Sequence, residues 1–284
     1  MMCAQLGVSV SGYWQHAQST KGSRFSKKGS ARVSDDVLLA HIKAIHAQFK
    51  GEYGWPRVWK ELLARGVRVG KERVRKLMQR HGIRARGKRR FRVVTTDSKH
   101  DLAVAPNRLQ RCFTVDRPNA VWTSDMTYIG TQEGWLYLAV VIDLFSRQVV
   151  GWSMKPHMKT ELVTDALRMA CWRRRPPKGL IFHTDRGSQY CSDECRTFTK
   201  AWGIQSSMSR KGDCWDNAPT ESLWGSLKVG RLYGQTFETR RQAMDEIVDW
   251  LTFYNHTRLH STLGYVSPMQ FEKSWYAAQL KKAA

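Results

Sequence analysis

The 284-residue chain is expected to hold an α/β domain preceded by a small all-α one, and three observations carry that expectation. From about residue 121 onward, apolar runs of strand length alternate with amphipathic helical stretches. Before that point the periodicity is helical, with Gly-containing turns between the stretches. Charge divides the same way: residues 1–114 carry 25 Lys and Arg against 7 Asp and Glu, while residues 115–284 carry 22 against 17. A net charge of +23 placed so unevenly points to a polyanionic partner met chiefly through the N-terminal part.

Residues 1–32 begin with an apolar stretch, Leu6–Trp14, and pass into a Ser/Lys/Gly-rich segment over 17–32 that reads as a flexible linker. Ser34 is a good N-cap, with Asp35 and Asp36 in the first turn, and Leu38, Ile42, Ile45 and Phe49 follow at helical spacing. Gly51–Gly54 breaks that helix, and Pro56 suits the first turn of the next, whose Val58, Trp59, Leu62 and Leu63 are expected to face inward. Gly66–Gly70 makes a turn. A third helix over Lys71–His81 turns Val74, Leu77 and Met78 to the core and Lys71, Arg73, Lys76 and Arg80 outward, with Arg75 close by. A short basic helix after a Gly-containing turn matches a helix-turn-helix, whose second helix enters a DNA groove. The bland reading, a three-helix bundle with a charged surface, leaves the clustering of these cations unexplained. Arg84, Arg86, Lys88, Arg89, Arg90 and Arg92 form a basic arm suited to sequence-independent phosphate contacts.

The expected divisions are a segment and linker over 1–32, a helix-turn-helix domain with its arm over 33–92, a linker over 93–112, a core over 113–276 and a tail over 277–284. In the core, Val121–Ile129 and Leu136–Phe145 read as strands joined around Gly134, and Gln148–Met154 as a third, with Asp143 and Arg147 at the turn between. Thr160–Trp172 is an amphipathic helix. Gly179–Thr184 is a short apolar strand of the buried parallel kind. A helix near 191–202, a strand near 204–209 and a helix opened by Asp216, Asn217 and Pro219 complete the pattern.

Three carboxylates stand at informative places. Asp125 lies inside a strand, where an unsatisfied acid is costly. Asp185 ends a strand, and Glu221 lies one turn into a helix; 59 residues separate the first two and 35 the last two. Acids gathered in this way around hard divalent cations serve phosphoryl transfer. Taken singly, Asp185 before Arg186-Gly187 is a turn aspartate and Glu221 a surface glutamate favoured by the helix dipole. The three together outweigh those readings. Trp224 and Lys228 share a helix face with Glu221. His183 shares the strand face of Asp185 and reads best as a core histidine.

Six cysteines, at positions 3, 112, 171, 191, 195 and 214, include no Cys-x-x-Cys pair, so neither a zinc knuckle nor a disulfide framework is indicated. They read as reduced, buried thiols, with Cys191 and Cys195 on one helix face. The longest apolar run, Leu136–Ile142, is far short of the ~20 residues that span a membrane. A soluble cytoplasmic protein associated with the nucleoid is expected, with no membrane partner.

The spacing Asp125, Asp185, Glu221, with Lys228 seven residues on, resembles retroviral-type integrase cores. The flanking words resemble insertion-sequence transposases of the OrfB type: Phe113-Thr-Val-Asp-Arg-Pro-Asn119, Gly212-Asp-Cys-Trp-Asp-Asn-Ala218, and the run Tyr254–Pro268. The resemblance covers about residues 33–272. It implies a ribonuclease H-like fold with a mixed five-stranded sheet and flanking helices, where periodicity alone gives only α/β. It implies that Asp125, Asp185 and Glu221 bind two Mg²⁺ ions, Mn²⁺ being a possible substitute, for cleavage at element ends and strand transfer. It implies a DNA contact at Lys228, and it makes Arg258 a candidate phosphate contact. The implied partners are element-end and target DNA, together with further copies of the chain. A second reading stays open, a DNA-binding partner or regulator inactive unless fused to the product of an upstream frame. A third, a nuclease acting on RNA–DNA hybrids, leaves the helix-turn-helix unexplained.

Overall fold

The computed structural model describes residues 33–87, 103–210 and 217–283. Leu6–Trp14, the 17–32 segment, Arg89 and Arg90 with the rest of the arm beyond Gly87, the first part of the 93–112 linker, and Asp213 lie outside the described residues. The chain falls into two compact units, one up to Ala40 and one from His41 onward, so the boundary cuts across the first described helix.

That helix, α1 (Asp35–Gln48), starts where the Ser34 hydroxyl accepts the Val37 amide at 3.3 Å. It ends at Gly51, whose φ of +74° brings its amide to the His46 carbonyl at 2.9 Å. Helix α2 (Trp55–Ala64) opens with Pro56, and α3 (Lys71–Arg80) follows a turn through Gly66, where φ is +81°. Val58, Leu62, Val74, Leu77 and Met78 are buried, as the spacing predicts. Leu63, expected inward, is 37% exposed. Trp59 is half-buried, because its indole nitrogen donates to the Val69 carbonyl at 2.8 Å in the turn before α3.

The core is a five-stranded mixed sheet in the order β3-β2-β1-β4-β5. Strands β1 (Val121–Thr131), β2 (Gly134–Asp143) and β3 (Val149–Lys155) pair antiparallel, while β4 (Ile181–Thr184) runs parallel to both β1 and β5 (Gln205–Met208). Strand β2 is apolar from Leu136 to Ile142, where both faces are covered. Ala139 and Val141 pack with α4 (Thr160–Arg174), and Leu138, Val140 and Ile142 pack with α7 (Ala218–Leu227) and α8 (Arg240–His256). The stretch expected as one helix near 191–202 is two, α5 (Ser188–Cys191) and α6 (Asp193–Ala201), divided at Ser192, which is extended and caps the second. Cys191 and Cys195 therefore sit on different helices.

Three further expectations change. Residues 103–112 are not a free linker throughout: the Arg108 amide donates to Ser207 at 2.9 Å, and Leu109 is buried with Val121 and Leu144. Asp143, expected at an open turn, is fully buried, with the amides of Asn119 and Phe145 on its carboxylate at 2.7 and 2.8 Å. Arg174 stands beside it and pairs with Glu272 at 2.6 Å, tying down α9 (Pro268–Ala283), which continues through the expected tail.

The run Tyr254–Pro268 joins the elements. The Asn255 side chain both accepts from and donates to the Val149 backbone at 2.9 Å, fastening the end of α8 to β3. The Tyr53 hydroxyl accepts the Leu259 amide at 2.9 Å, and Arg57 donates to the Leu259 carbonyl at 2.8 Å, so the α1–α2 link and α2 rest directly on this run.

Strand β3 can approach α4 only because position 151 lacks a side chain. A Cβ there would strike the Ala166 carbonyl and come within 2.8 Å of the Ala170 methyl. Gly151→Ala should therefore destabilise the fold by about 1–3 kcal/mol. Urea denaturation measures this; an unchanged midpoint would show that the contact yields without strain.

Candidate active site

Asp125 lies on β1 opposite Val140, on the sheet face that also carries Thr123. One of its carboxylate oxygens accepts the Met126 amide at 2.7 Å, and the other accepts the Trp224 indole N–H at 2.9 Å. Thr123 pairs with His183 across β1 and β4, and continuing that parallel register by two residues brings Asp125 beside Asp185. Asp185 leaves β4 in a tight turn in which its own carboxylate accepts the Gly187 amide at 3.0 Å.

Glu221 comes from the third side. Asn217 stands at the N-cap of α7 but does not cap it with its side chain. Its amide nitrogen instead donates to the Ser124 carbonyl at 3.3 Å, and its oxygen accepts from Thr220 at 2.9 Å. Thr220 also bonds Thr123 at 3.0 Å. These contacts seat the helix on β1, while Leu223 and Leu227 bury its underside and leave Glu221 exposed above.

The electrostatics follow from this crowding. Burial pushes the Asp125 carboxyl up from 3.8 to about 7, the charge of Asp185 adds to the rise, the Trp224 and Met126 donors oppose it, and Glu221 adds a smaller increment. Burial also raises Glu221. Lys228 is lowered by burial and held up by Asp125, and its ammonium lies 5.1 Å from the centre of the Tyr128 ring. Among the described residues, no three His, Cys, Asp or Glu side chains are drawn close enough together to enclose a metal ion. The donor set is nonetheless all carboxylate oxygen, the kind that hard divalent cations take, and the mutual repulsion at Asp125 is of the sort that a cation relieves.

The chain is similar to known families and relatives over most of its length. The Integrase core domain family matches residues 115–214, a second Integrase core domain family matches 202–268, and the HTH-like domain family matches 34–91. An insertion element IS600 uncharacterized 31 kDa protein from Shigella sonnei is 42% identical over 276 residues, which is 97% of this chain and 98% of that protein. The transposase InsF for insertion sequence IS3A, from Escherichia coli (strain K12), is 42% identical over 95% of this chain and 92% of its own. The chain belongs to the insertion-sequence transposases. Its enzyme class is thus that of the polynucleotidyl transferases. A transposase for insertion sequence element IS904 from Lactococcus lactis is 44% identical over 85% of this chain and 96% of that protein. Among solved structures, the chain is similar to a simian T-cell lymphotropic virus intasome in complex with PP2A regulatory subunit B56 gamma (17% identity, TM-score 0.48, 81% of this chain and 74% of that one). It is also similar to the HTLV-2 integrase catalytic core domain in complex with magnesium (21% identity, TM-score 0.44, 55% and 97%).

Elsewhere in the transposase the candidate residues divide. Lys71, Lys76 and Arg80 are exposed along α3, Arg73 and Arg75 are half-buried there, and Arg75 pairs with Glu72 at 2.9 Å. Arg258 is buried: it donates to Ser226 of α7 at 2.9 Å and lies over the Tyr254 ring. That contact anchors the helix of Glu221 and leaves the guanidinium little surface to offer a phosphate. His183 is fully buried between Ser207 and Ser209, at 2.9 and 3.3 Å, the core histidine its position suggests. Cys171, Cys191 and Cys195 are buried, and burial raises all three thiols, so they are poor nucleophiles; Cys112 is exposed. Among the described residues no helix is long and apolar enough to cross a membrane.

The sequence places Asn217 at the opening of its helix, and it foretells neither the seat that Asn217 makes with Thr220 nor the indole contact of Trp224. Their spacing held the signal: Asn217, Thr220, Glu221 and Trp224 recur at three- and four-residue steps on the helix side that meets β1.

Because Asp125 rises on folding, the folded chain keeps a proton that the unfolded chain releases. Its contribution to stability is full below about pH 4 and fades as the pH climbs to about 7. In chelator-treated buffer, Asp125→Asn should match the wild type in melting temperature near pH 4 and exceed it near pH 8. Parallel melting curves across that range would contradict the shift.

Proposed function

We propose that this transposase cleaves DNA at the ends of its own element and joins the freed ends to target DNA, with Asp125, Asp185 and Glu221 as the catalytic carboxylates. Water would attack the phosphorus at the element end and break one P–O bond, leaving a 3′-hydroxyl. That hydroxyl would then attack a target phosphodiester, forming one P–O bond as another breaks. No protein–DNA ester is needed, so no Ser or Tyr nucleophile is called for.

The observation that carries the reading is the parallel register that sets Asp185, just after β4, beside Asp125 of β1, with Glu221 on the helix seated against β1 and its charge felt at Asp125. Two Mg²⁺ ions, held by these carboxylates, would activate the attacking oxygen and stabilise the leaving one. The protein's own part is to hold the carboxylates: Trp224 and Met126 orient Asp125, Gly187 orients Asp185, and the Asn217–Thr220 seat presents Glu221. Lys228, close enough to Asp125 to feel its charge, is placed to meet the phosphate backbone of the bound end. DNA is read by the helix-turn-helix, with Lys71, Arg73, Arg75, Lys76 and Arg80 of α3 toward the duplex and Arg89 and Arg90 adding phosphate contacts from the arm. Joining two ends calls for more than one copy of the chain on the DNA.

Asp125→Asn, Asp185→Asn and Glu221→Gln should each lower Mg²⁺-dependent cleavage and joining of a labelled element end by about a thousandfold, with duplex binding retained. Strand transfer persisting in any of the three would remove that residue from the site. Activity seen only after fusion to the upstream-frame segment would mean that the chain needs a partner for end recognition. Lys76→Ala and Arg80→Ala should weaken duplex binding evenly across sequences and reduce the salt-dependence slope by about 1 each. A loss confined to one sequence would instead mark them as base-reading.

A further inference from the structure

Outside the proposed site, a buried cluster of charged residues holds the link between α1 and α2 against the core. Glu52, in that link, and Arg231, just after α7, each have side chains only 4% exposed. The Arg231 Nε donates to one Glu52 oxygen at 2.9 Å, and the Trp250 indole donates to the other at 3.3 Å. The Arg231 Nη1 donates to Glu246 at 3.0 Å and pairs with Asp249, while Lys50 bridges the same two acids at 3.3 Å. The approach is close enough that a Cβ on Gly230 would stand 2.8 Å from a Glu52 oxygen. Arg86, which follows α3, donates to the Gly230 carbonyl at 3.1 Å, and its own amide donates to the Gly51 carbonyl at 3.1 Å.

On the core side, Arg231 belongs to a single π-helical turn, Lys228–Leu232, wound directly onto the end of α7. Such turns are rare and shift the side chains beyond them out of α-helical register. Here the turn begins at Lys228, on the active-site side, and turns Arg231 into the Glu52 cluster. One continuous segment therefore carries Glu221, Lys228 and the anchor for the helices that include α3.

We propose that the Glu52–Arg231 cluster is a ruler: it fixes the spacing between the DNA sequence read by α3 and the phosphodiester presented to the carboxylates. A buried, multiply bonded ion pair suits this role, because its geometry is specific even where its net contribution to stability is small. Arg57, on the Leu259 carbonyl, is the second tether of the same helices. The inference rests on the proposed function, and it adds that cut position, besides cut rate, is set at this junction.

The test maps cut positions at single-nucleotide resolution on an end-labelled element end, with end affinity measured in parallel by gel shift. The unchanged chain is compared with Glu52→Gln, Arg57→Met and the double variant. Glu52→Gln keeps the shape and removes the charge, and Arg57→Met tests the second tether, so the outcome does not hang on one variant folding. The expected result is a share of displaced cuts that rises about tenfold in Glu52→Gln and further in the double variant, with end affinity within about twofold of the unchanged chain. Lower activity at an unmoved cut site in all variants would overturn the ruler and leave the proposed function standing. No cutting by the unchanged chain, alone or fused to the upstream-frame segment, would overturn both.

Discussion

Thr220 bonds Thr123 at 3.0 Å while Asn217 reaches the Ser124 carbonyl, and these contacts decide where the third carboxylate stands. A helix on a sheet is free to slide and roll so long as its apolar stripe stays covered. Leu223 and Leu227 supply that stripe but fix no register. The two polar contacts do, because a buried hydroxyl or amide left unpaired costs about 1–3 kcal/mol. With the helix so held, Trp224 falls one turn beyond Glu221 and meets Asp125, and Arg258 closes on Ser226 further along. The polar residues between the acids thus set the register of the helix that carries Glu221 against the strand that carries Asp125.

Holding them together opposes their mutual repulsion. Asp125 is placed where burial and the charge of Asp185 both disfavour its ionised form, while the hydrogen bonds from Trp224 and Met126 favour it. The fold tolerates this because the strands, helix and hydrogen bonds around it are fixed by packing elsewhere on the sheet. Sites that raise a carboxyl in this way are poised to exchange a proton for a cation, which is the electrostatic case for metal binding here.

Much of the architecture was legible from period alone. The continuous apolar run of β2 and the alternation in β1 follow from which faces are covered, and the α1–α3 stripes follow from the 3.6-residue repeat. Asp125, Asp185 and Glu221 stood out because an acid inside a strand, one at a strand's end and one a turn into a helix break an apolar pattern, at a spacing that resembles integrase cores. What stayed hidden was every role set by a partner distant in sequence. Asp143 read as a turn residue because its amide partners and Arg174 could not be foreseen, and residues 105–109 read as linker because nothing local announces that they pack along β5. Arg258 carried a charge that suggested phosphate, yet its neighbours Tyr254 and Ser226 bury it.

That last case bears on the whole charge distribution. An excess of cations looks like a uniform invitation to a polyanion, but the fold sorts them. Arg174, Arg231 and Arg258 are enclosed and bonded within the protein, where planar guanidinium groups can satisfy several acceptors at once. Lys71, Lys76, Arg80 and Lys228 stay exposed, and counterion release on DNA rewards only charges that can reach phosphate. The acids are sorted too: Glu52, Glu246 and Asp249 are taken up by the buried Arg231 and Glu272 by Arg174, which removes negative charge that would otherwise oppose DNA.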